Sequence, residues 1–495
     1  RIRFNQITQK AILDSLANPG RLDENLYDAQ KARALLDILF GFTLSPLLSR
    51  CLGIQGLSAG RCQTPALRII HERESEQVCG EISISVNTKY KKSQITLERP
   101  KLNRQTVVPF LKNINGKSFK IVKITLTDKI ERPKSAYTTS RLQQDAYSTF
   151  KLTPKKTMGI CQKLYENGFI TYHRTDSTKL SSEFTGTVHE YVQQKFGEDF
   201  VGSSSQSSQS SQKTQDAHEA IRPIDILKKN DPIDEDARRV YNLIKLRSIE
   251  SLMSSHKFTE RRITLNVLDS ETSNCWYTTT TKTTFLGFKI LYNKKTAEDI
   301  VDTSQKFWDY VKVEDAFNVN EINAVEIAKK PPTLYNHGNF VKKLEKEGIG
   351  RPSTYVSIVE KLLNRKYIAI GTSKSLDVEL KKWKLKSMVS EQKYVQKLGK
   401  QKGIFAMTDL GNRICEFVDN SDIKSLCEKN FTSELETKLD LVANGSFDWK
   451  RLVREFYNDM MNKVHICKTN TKPDLKSKFL RVIQKYDDST MELKK

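Results

Sequence analysis

Apolar positions recur every three to four residues over 27–50, as at Ala34, Leu35, Ile38, Leu39 and Phe42, and again over 61–75, which predicts two helices. The second ends in the charged run HERESE. The period then changes to two, at Ile82, Ile84 and Val86 and in SFKIVKITLT at 118–127, which predicts strands. Alternation returns at Ile263, Leu265 and Val267 and continues through WYTTTTKTTFLGFKILY at 276–292 and INAVEIA at 322–328. The stretch between is mainly helical. Two strand-rich segments flanking a helical one predict a discontinuous β domain that leaves the main body, carries a helical domain at its tip, and comes back at KKPPTLYN, residues 329–336.

Residues 337–460 read as helical again, broken by the lysine-rich LKKWKLKSMVSEQKYVQKLGKQKG at 380–403. Its Trp383 and Tyr394 would allow stacking on bases, and its lysines equally suit a solvated insertion. GSSSQSSQSSQK at 202–213 is of low complexity and predicts a mobile loop. No tandem repeat is present.

A chain of 495 residues, 37% of them hydrophobic, is long enough for two to four domains with a substantial core. Lys and Arg outnumber Asp and Glu by 82 to 59, and the resulting charge of +23 points to a polyanionic partner, nucleic acid first. The eight cysteines stand singly with no Cys-x-x-Cys, which reads as reduced and intracellular rather than as a zinc or disulfide framework. The best apolar run, LLDILFGFTLSPLL at 35–48, contains Asp37 and Pro46 and is too short to cross a bilayer. The chain begins at Arg1 without a methionine or a signal-peptide pattern, which suggests a piece trimmed from something longer.

Candidate chemistry gathers in four places. In GFITYHRTDS, 168–177, Gly168 stops a helix with Thr153 as N-cap, Pro154 in its first turn, and an apolar stripe of Met158, Cys161, Leu164 and Tyr165. If the next residues are extended, Tyr172 and Arg174 share a face. A phosphate touching both would meet a phenol and the positive charge that a tyrosine nucleophile needs. The same residues also fit a packed tyrosine beside a surface arginine. AHEAIRP, 217–223, offers His218, Glu219 and Arg222, with Pro223 turning the backbone away from helix. In EGIGRPSTY, 347–355, Gly348 closes one helix, and Arg351, Ser353 and Thr354 stand at the start of the next, where free N–H groups suit phosphate. GLSAGRCQT, 56–64, places Arg61 and Thr64 beside a glycine turn in the same way.

Taken together and in this order, GLSAGRCQTPALRIIHERE, LYENGFITYHRTDST, DAHEAIRP and LEKEGIGRPSTYVSIVEKL resemble the type IA DNA topoisomerases over nearly the whole chain. FTSELETKLDLVANG at 431–445 is similar to that family's closing motif, and the GRPST form is similar to bacterial-type topoisomerase I rather than to topoisomerase III. The resemblance implies a mixed α and β, multidomain toroid in which β-rich arms hold a helical gate. Its expected parts are a Toprim-like tail at 1–49, a helical body at 50–80 and 334–466, a β-rich arm at 81–133 and 258–333, the gate at 134–257 and a charged tail at 467–495.

By the same matching Tyr172 is the nucleophile that keeps a 5′-phosphate, Arg174 contacts the scissile phosphate, and His218 and Arg222 assist at the DNA backbone. Gln162, Tyr165 and Asp176 would lie in the cleavage site, with Arg61, Thr64, Arg351, Ser353 and Thr354 holding single-stranded DNA upstream. The expected activity is ATP-independent relaxation of negative supercoils by a monomer in the cytoplasm or on DNA, consistent with the lack of a GxxxxGK[ST] loop. The family's Toprim domain, with its Asp-x-Asp-x-Glu cluster and Mg²⁺, would precede residue 1, so no metal ligand is expected in this chain, and alone it is expected to bind DNA without relaxing it. DEDARR at 234–239 reads more simply as a solvated helix start. A tyrosine recombinase shares the Arg, His and Tyr set but holds a 3′-phosphate, and a non-enzymatic single-strand-binding remnant is the other alternative.

Overall fold

The computed structural model describes residues 2, 4–76, 81–98, 102–202, 219–227, 234–268, 275–292 and 303–470. The low-complexity loop from 203 on, His218 and the tail beyond 470 lie outside them.

The chain opens with α1 (Gln9–Ala17) and α2 (Glu24–Leu52). Asp23 caps α2 by accepting from the Leu26 amide, and Ala29, Ala32, Leu36, Phe40, Leu44 and Leu48 form its buried stripe. This helix is long and apolar enough to cross a membrane by length and composition. Its stripe instead faces a protein core shared with α3 (Gln63–Ser75), α10 (His337–Lys346), α11 (Tyr355–Asn364), α12 (Asp409–Asp419), α13 (Lys429–Ala443) and α14 (Trp449–Asn470).

Among the described residues the strand-rich segments form one nine-stranded sheet and a separate pair, β8 (Ile368–Thr372) with β11 (Lys402–Met407). The large sheet takes in β1 (Ile82–Tyr90), β2 (Ser93–Leu97), β3 (Phe119–Glu131), β4 (His256–Val267), β5 (Trp276–Phe285), β6 (Ala316–Phe317) and β7 (Ile322–Ala328). Its remaining strands are β9 (Leu376–Leu385) and β10 (Val389–Leu398), and the order is β10-β9-β7-β1-β2-β5-β4-β3-β6. β3 and β4 pair antiparallel from Phe119↔Val267 to Glu131↔His256, and the chain between them builds a helical unit. That unit holds α5 (Thr139–Phe150), α6 (Pro154–Glu166), α7 (Ser182–Phe196) and α8 (Glu235–Glu250). The discontinuous β region with a helical insertion is therefore present as the patterning predicts. Phe119, Trp276, Trp308 and Trp383 fill the covered side of the sheet beneath α4 (Val107–Asn113) and α9 (Thr303–Tyr310).

The strand extent and the stacking role of Trp383 depart from expectation. The strand predicted through 292 stops at Phe285, and a 3₁₀ turn comes after it over Gly287–Leu291. Gly287 has φ +52°, and a Cβ there would lie 2.4 Å from the Ser255 carbonyl oxygen, so only glycine lets the chain cross its neighbour this closely. The lysine-rich stretch is a largely exposed insertion, as the solvated reading has it, but a regular one: it is the β9–β10 hairpin, docked through β9 on β7 from Ile322↔Leu385 to Val325↔Lys382. Trp383 is buried in the sheet core and donates its indole N–H to Glu391 at 2.8 Å, so it cannot stack on a base. Apolar side chains leave both faces of β9, Leu380 toward Leu398 and Ala328, and Trp383 and Leu385 toward the larger core. A strand anchored on both faces, with lysines between its anchors, carries no clean period of two.

Candidate active site and nucleic-acid interface

The residues around Tyr172 are set by α6 and by the extended chain that leaves it. Thr153 accepts from the Lys156 amide, Pro154 occupies the first turn, and α6 ends before Gly168, which has φ +69°. A Cβ on Gly168 would stand 3.1 Å from the Ile7 carbonyl oxygen, so the N-terminal strip passes directly against this turn. From 171 to 177 burial alternates: Thr171, His173, Thr175 and Ser177 point inward, while Tyr172 is half-buried and Arg174 and Asp176 are exposed. Such alternation is the mark of an extended backbone.

Cross-links hold this stretch straight. Thr171 donates its N–H to the Arg222 carbonyl at 3.0 Å and its hydroxyl to the Ala220 carbonyl at 2.8 Å. Thr139, at the start of α5, donates its hydroxyl to the His173 carbonyl at 2.7 Å and accepts from the Thr175 amide at 2.9 Å. The Tyr172 amide itself donates to the Asn5 carbonyl at 2.7 Å. The backbone under the phenol is thus pinned from three sides, while its ring and the two charged neighbours face outward.

Tyr165, on the last turn of α6, meets the Tyr172 ring edge-on at 5.2 Å between centroids, and His173 lies 5.3 Å from Tyr172 and 6.3 Å from Tyr165. Burial pushes the Tyr165 phenol up, with Tyr172 adding to the effect. Burial also pushes the His173 imidazole down to about 4, helped by Arg174 and opposed by Glu166. His173 is therefore neutral near pH 7, a spacer beneath the two tyrosines; its inward direction follows from the alternation that pairs Tyr172 with Arg174, whereas its packing against both rings is not legible in the sequence. Gln162 donates to Glu166 at 2.6 Å one turn earlier.

Arg222, fifty residues on in sequence, is tied to this stretch through its backbone at Thr171, and its side chain turns into the protein. It is buried, with Nε and Nη2 on the two carboxylate oxygens of Glu219 at 2.6 and 3.1 Å, Nη1 on the Pro223 carbonyl, and its guanidinium over the Phe184 ring. Glu219 in turn accepts from the Ser181 amide, so this arginine ties the 219–223 strip to the start of α7. His218 falls outside the described residues.

The two glycine-rich motifs of the body converge on one buried carboxylate. Arg61 is 3% exposed, with Nε on Asp37 at 2.9 Å and Nη1 on Glu436 of α13 at 2.7 Å. Thr64 ties its hydroxyl to the Gly60 amide at the head of α3. Arg351, just before α11, reaches Asp440 at 2.9 Å and Glu436 at 3.3 Å. Thr354 bonds both the amide and the carbonyl of Arg351, and Ser353 is exposed beside it. Burial holds the Tyr355 phenol well above its usual range, with Glu345, Asp176 and Glu436 adding and Arg351 opposing. Arg174, Asp176 and Ser353 are exposed and Tyr172 and Arg351 are partly so, whereas Arg61, Thr64 and Arg222 are buried.

Among the described residues no group of three or more His, Cys, Asp or Glu side chains is arranged to hold a metal ion. The Mg²⁺ implied by the resemblance has no fitting ligand set there, and no chemical step is assigned to it.

A family model described as DNA topoisomerase matches residues 21–380. DNA topoisomerase 1 of Pseudomonas aeruginosa is 31% identical over 496 residues, covering 95% of this chain and 52% of that protein. DNA topoisomerase 1 type prokaryotic of Acanthamoeba polyphaga mimivirus is 31% identical over 511 residues, covering 93% of this chain and 59% of that protein. The chain thus spans between half and three-fifths of these curated relatives. Full-length topoisomerase I from Thermotoga maritima shares the fold with a TM-score of 0.75 at 27% identity, over 94% of this chain and 73% of that structure. With the motifs in their order, the helical unit carried on a split sheet, and a family model over most of its length, the chain belongs to the bacterial-type, type IA DNA topoisomerase family.

Proposed function

We propose that this chain carries the strand-cleaving tyrosine of an ATP-independent DNA topoisomerase that relaxes negatively supercoiled DNA, acting as a monomer on single-stranded segments in the cytoplasm or on the chromosome. The reading rests above all on one observation: Tyr172, Arg174 and Asp176 share the accessible side of an extended stretch whose other side is pinned at Thr171, His173 and Thr175. A nucleophile on so fixed a backbone needs little reorganisation to meet a phosphate.

In the proposed step the Tyr172 phenol oxygen bonds to phosphorus as the bond to the 3′ oxygen breaks. The phenol proton departs, the 3′ oxygen takes one up, and the 5′-phosphate stays on tyrosine. Arg174 neutralises the charge that builds on the non-bridging oxygens. Resealing reverses each change, so the phosphodiester energy is conserved in the phosphotyrosine and no nucleotide is consumed. Passage of the second strand requires the helical unit to part from the body. Among the described residues, the polar contacts it would break include Ser140 with Glu345 at 2.5 Å, Tyr147 with the Gly403 carbonyl at 3.3 Å, and Lys155 with Glu360 at 2.7 Å.

The test uses the chain joined to the N-terminal Toprim portion of a topoisomerase relative, with single-stranded oligonucleotides labelled at either end and covalent protein–DNA adducts trapped by denaturant. The 3′-labelled piece should travel with the wild-type protein and the 5′-labelled piece should not. Tyr172→Phe should abolish the adduct and leave single-strand affinity within about twofold, because one neutral hydroxyl adds little to a binding energy carried mainly by charged backbone contacts. An adduct that survives in Tyr172→Phe, or one that carries the 5′ label, overturns the assignment.

A further inference from the structure

The closing motif of the sequence places Glu436 and Asp440 one turn apart on α13, and both are occupied by arginines of other motifs. Glu436 is 3% exposed and accepts Arg61 on Oε1 at 2.7 Å and Arg33 on Oε2 at 2.8 Å, with Arg351 at 3.3 Å. Burial raises its carboxyl, but Arg61, Arg33 and Arg351 more than offset this and hold it below the usual carboxylate range. Arg61 is further committed to Asp37. Three arginines and three carboxylates make the cluster neutral as it stands.

Arg351 differs from the other two. Its side chain is 31% exposed, and Nη2 makes a two-oxygen contact with Asp440 at 2.9 and 3.1 Å, while the Asp440 side chain is 55% exposed. The inner partner is thus buried and the outer one stands in water. An exposed ion pair contributes little, and a phosphate diester presents the same pair of oxygens to a guanidinium as a carboxylate does. Ser353 and the entry to α11 lie immediately beside it.

We propose that Asp440 is an exchangeable stand-in for a DNA phosphate on Arg351: Glu436 holds the guanidinium in place from behind, and Asp440 gives up its contact when a strand arrives. This rests on the DNA-binding reading above and adds to it a residue that opposes binding. Exchange uncovers one positive charge beside Ser353 without leaving Arg351 unpartnered in the free protein. Because the competitor is a carboxylate and the ligand a backbone phosphate, the effect is the same for every base sequence.

Fluorescence anisotropy of a labelled single-stranded oligonucleotide, followed over a range of salt concentrations, tests the exchange in the full chain. Asp440→Asn keeps the shape and removes the charge. It should bind roughly two- to five-fold more tightly than wild type at low salt, the range set by the strength of an exposed ion pair. In a background of Arg351→Gln the same change should bring no such gain, which separates exchange at Arg351 from a general loss of negative charge. Unchanged or weaker binding by Asp440→Asn, or a gain that persists without Arg351, overturns the inference while leaving the functional reading intact. Failure of the wild type to bind the oligonucleotide at all would remove the functional reading and this inference with it.

Discussion

His173 lies beneath Tyr165 and Tyr172, its Nδ1 buried without a hydrogen-bond partner and its imidazole held down to about 4. Because the folded value is below the ordinary 6.5, the unfolded chain binds the proton more readily between these limits. Stability from the neutral ring is therefore complete above pH 6.5 and is lost as pH falls toward 4, by an amount on the order of 3 kcal/mol. His173→Phe retains a ring against Tyr165 and Tyr172 and cannot titrate. We expect the drop in melting temperature between pH 7 and pH 4.5 to shrink in this variant; a drop as steep as in wild type would show that the acid sensitivity arises elsewhere. Burial also lowers His189 and His337, so part of the slope should remain.

At the level of elements, the β9–β10 hairpin joins parts that sequence order assigns to different regions. It leaves the chain between β8 and β11 of the body and completes the edge of the large sheet at β7. At its base it also grips the proline-containing connection from β7 to α10. Gln396 accepts from the Ala328 amide at 3.0 Å, and Gln401 accepts from the Leu334 amide at 3.0 Å, one at each end of that connection. Leu380, Leu398 and Ala328 add a small apolar cluster beside it. A connection tied at both ends bends less than a free one, so the hairpin should act as a splint between sheet and body. Replacing residues 376–398 by a short turn should broaden the distance distribution between spin labels on the sheet and on α12; an unchanged distribution would rule the splint out. Trp383→Ala, which empties a fully buried indole site, should cost about 3–5 kcal/mol in a denaturant titration of the sheet region.

At the level of the whole molecule, the excess of basic residues acts through long-range attraction as well as through particular contacts. A charge of +23 favours any polyanion, single- or double-stranded, so a preference between the two has to come from the site itself. An unpaired strand can bring a phosphate to the phenol without the second strand in the way. We expect tighter binding of a single-stranded oligonucleotide than of a relaxed duplex of equal length, with affinity falling linearly in log–log plots against salt as counterions are released. Equal affinity for both forms at one salt concentration would contradict this. The ion pair of Lys155 with Glu360 should contribute at most about 1 kcal/mol to holding the helical unit on the body, so the packing of α5 on α10, with Tyr147 against His337, sets the cost of opening.

Local patterning determined much of this protein. Thr153 and Pro154 start α6 and Gly168 comes just past its end as read from the chain, because caps and turn glycines act through their nearest neighbours. The two strand-rich segments were equally plain, since a sheet covered on one side imposes a period of two on each strand by itself. The accessible side of the tyrosine stretch also came from spacing alone once the backbone was extended. Beyond the reach of the sequence lay whatever depends on residues far apart in it. Arg61 and Arg351 look alike as glycine-flanked arginines, yet one is sealed between Asp37 and Glu436 and the other opens to solvent against Asp440. The lysine-rich stretch looked like a surface interruption until β7 supplied the hydrogen bonds, and the sheet core supplied the place for Trp383, that make it a hairpin. Burial and ion pairing are settled by packing between distant segments, and that is a property of the tertiary fold.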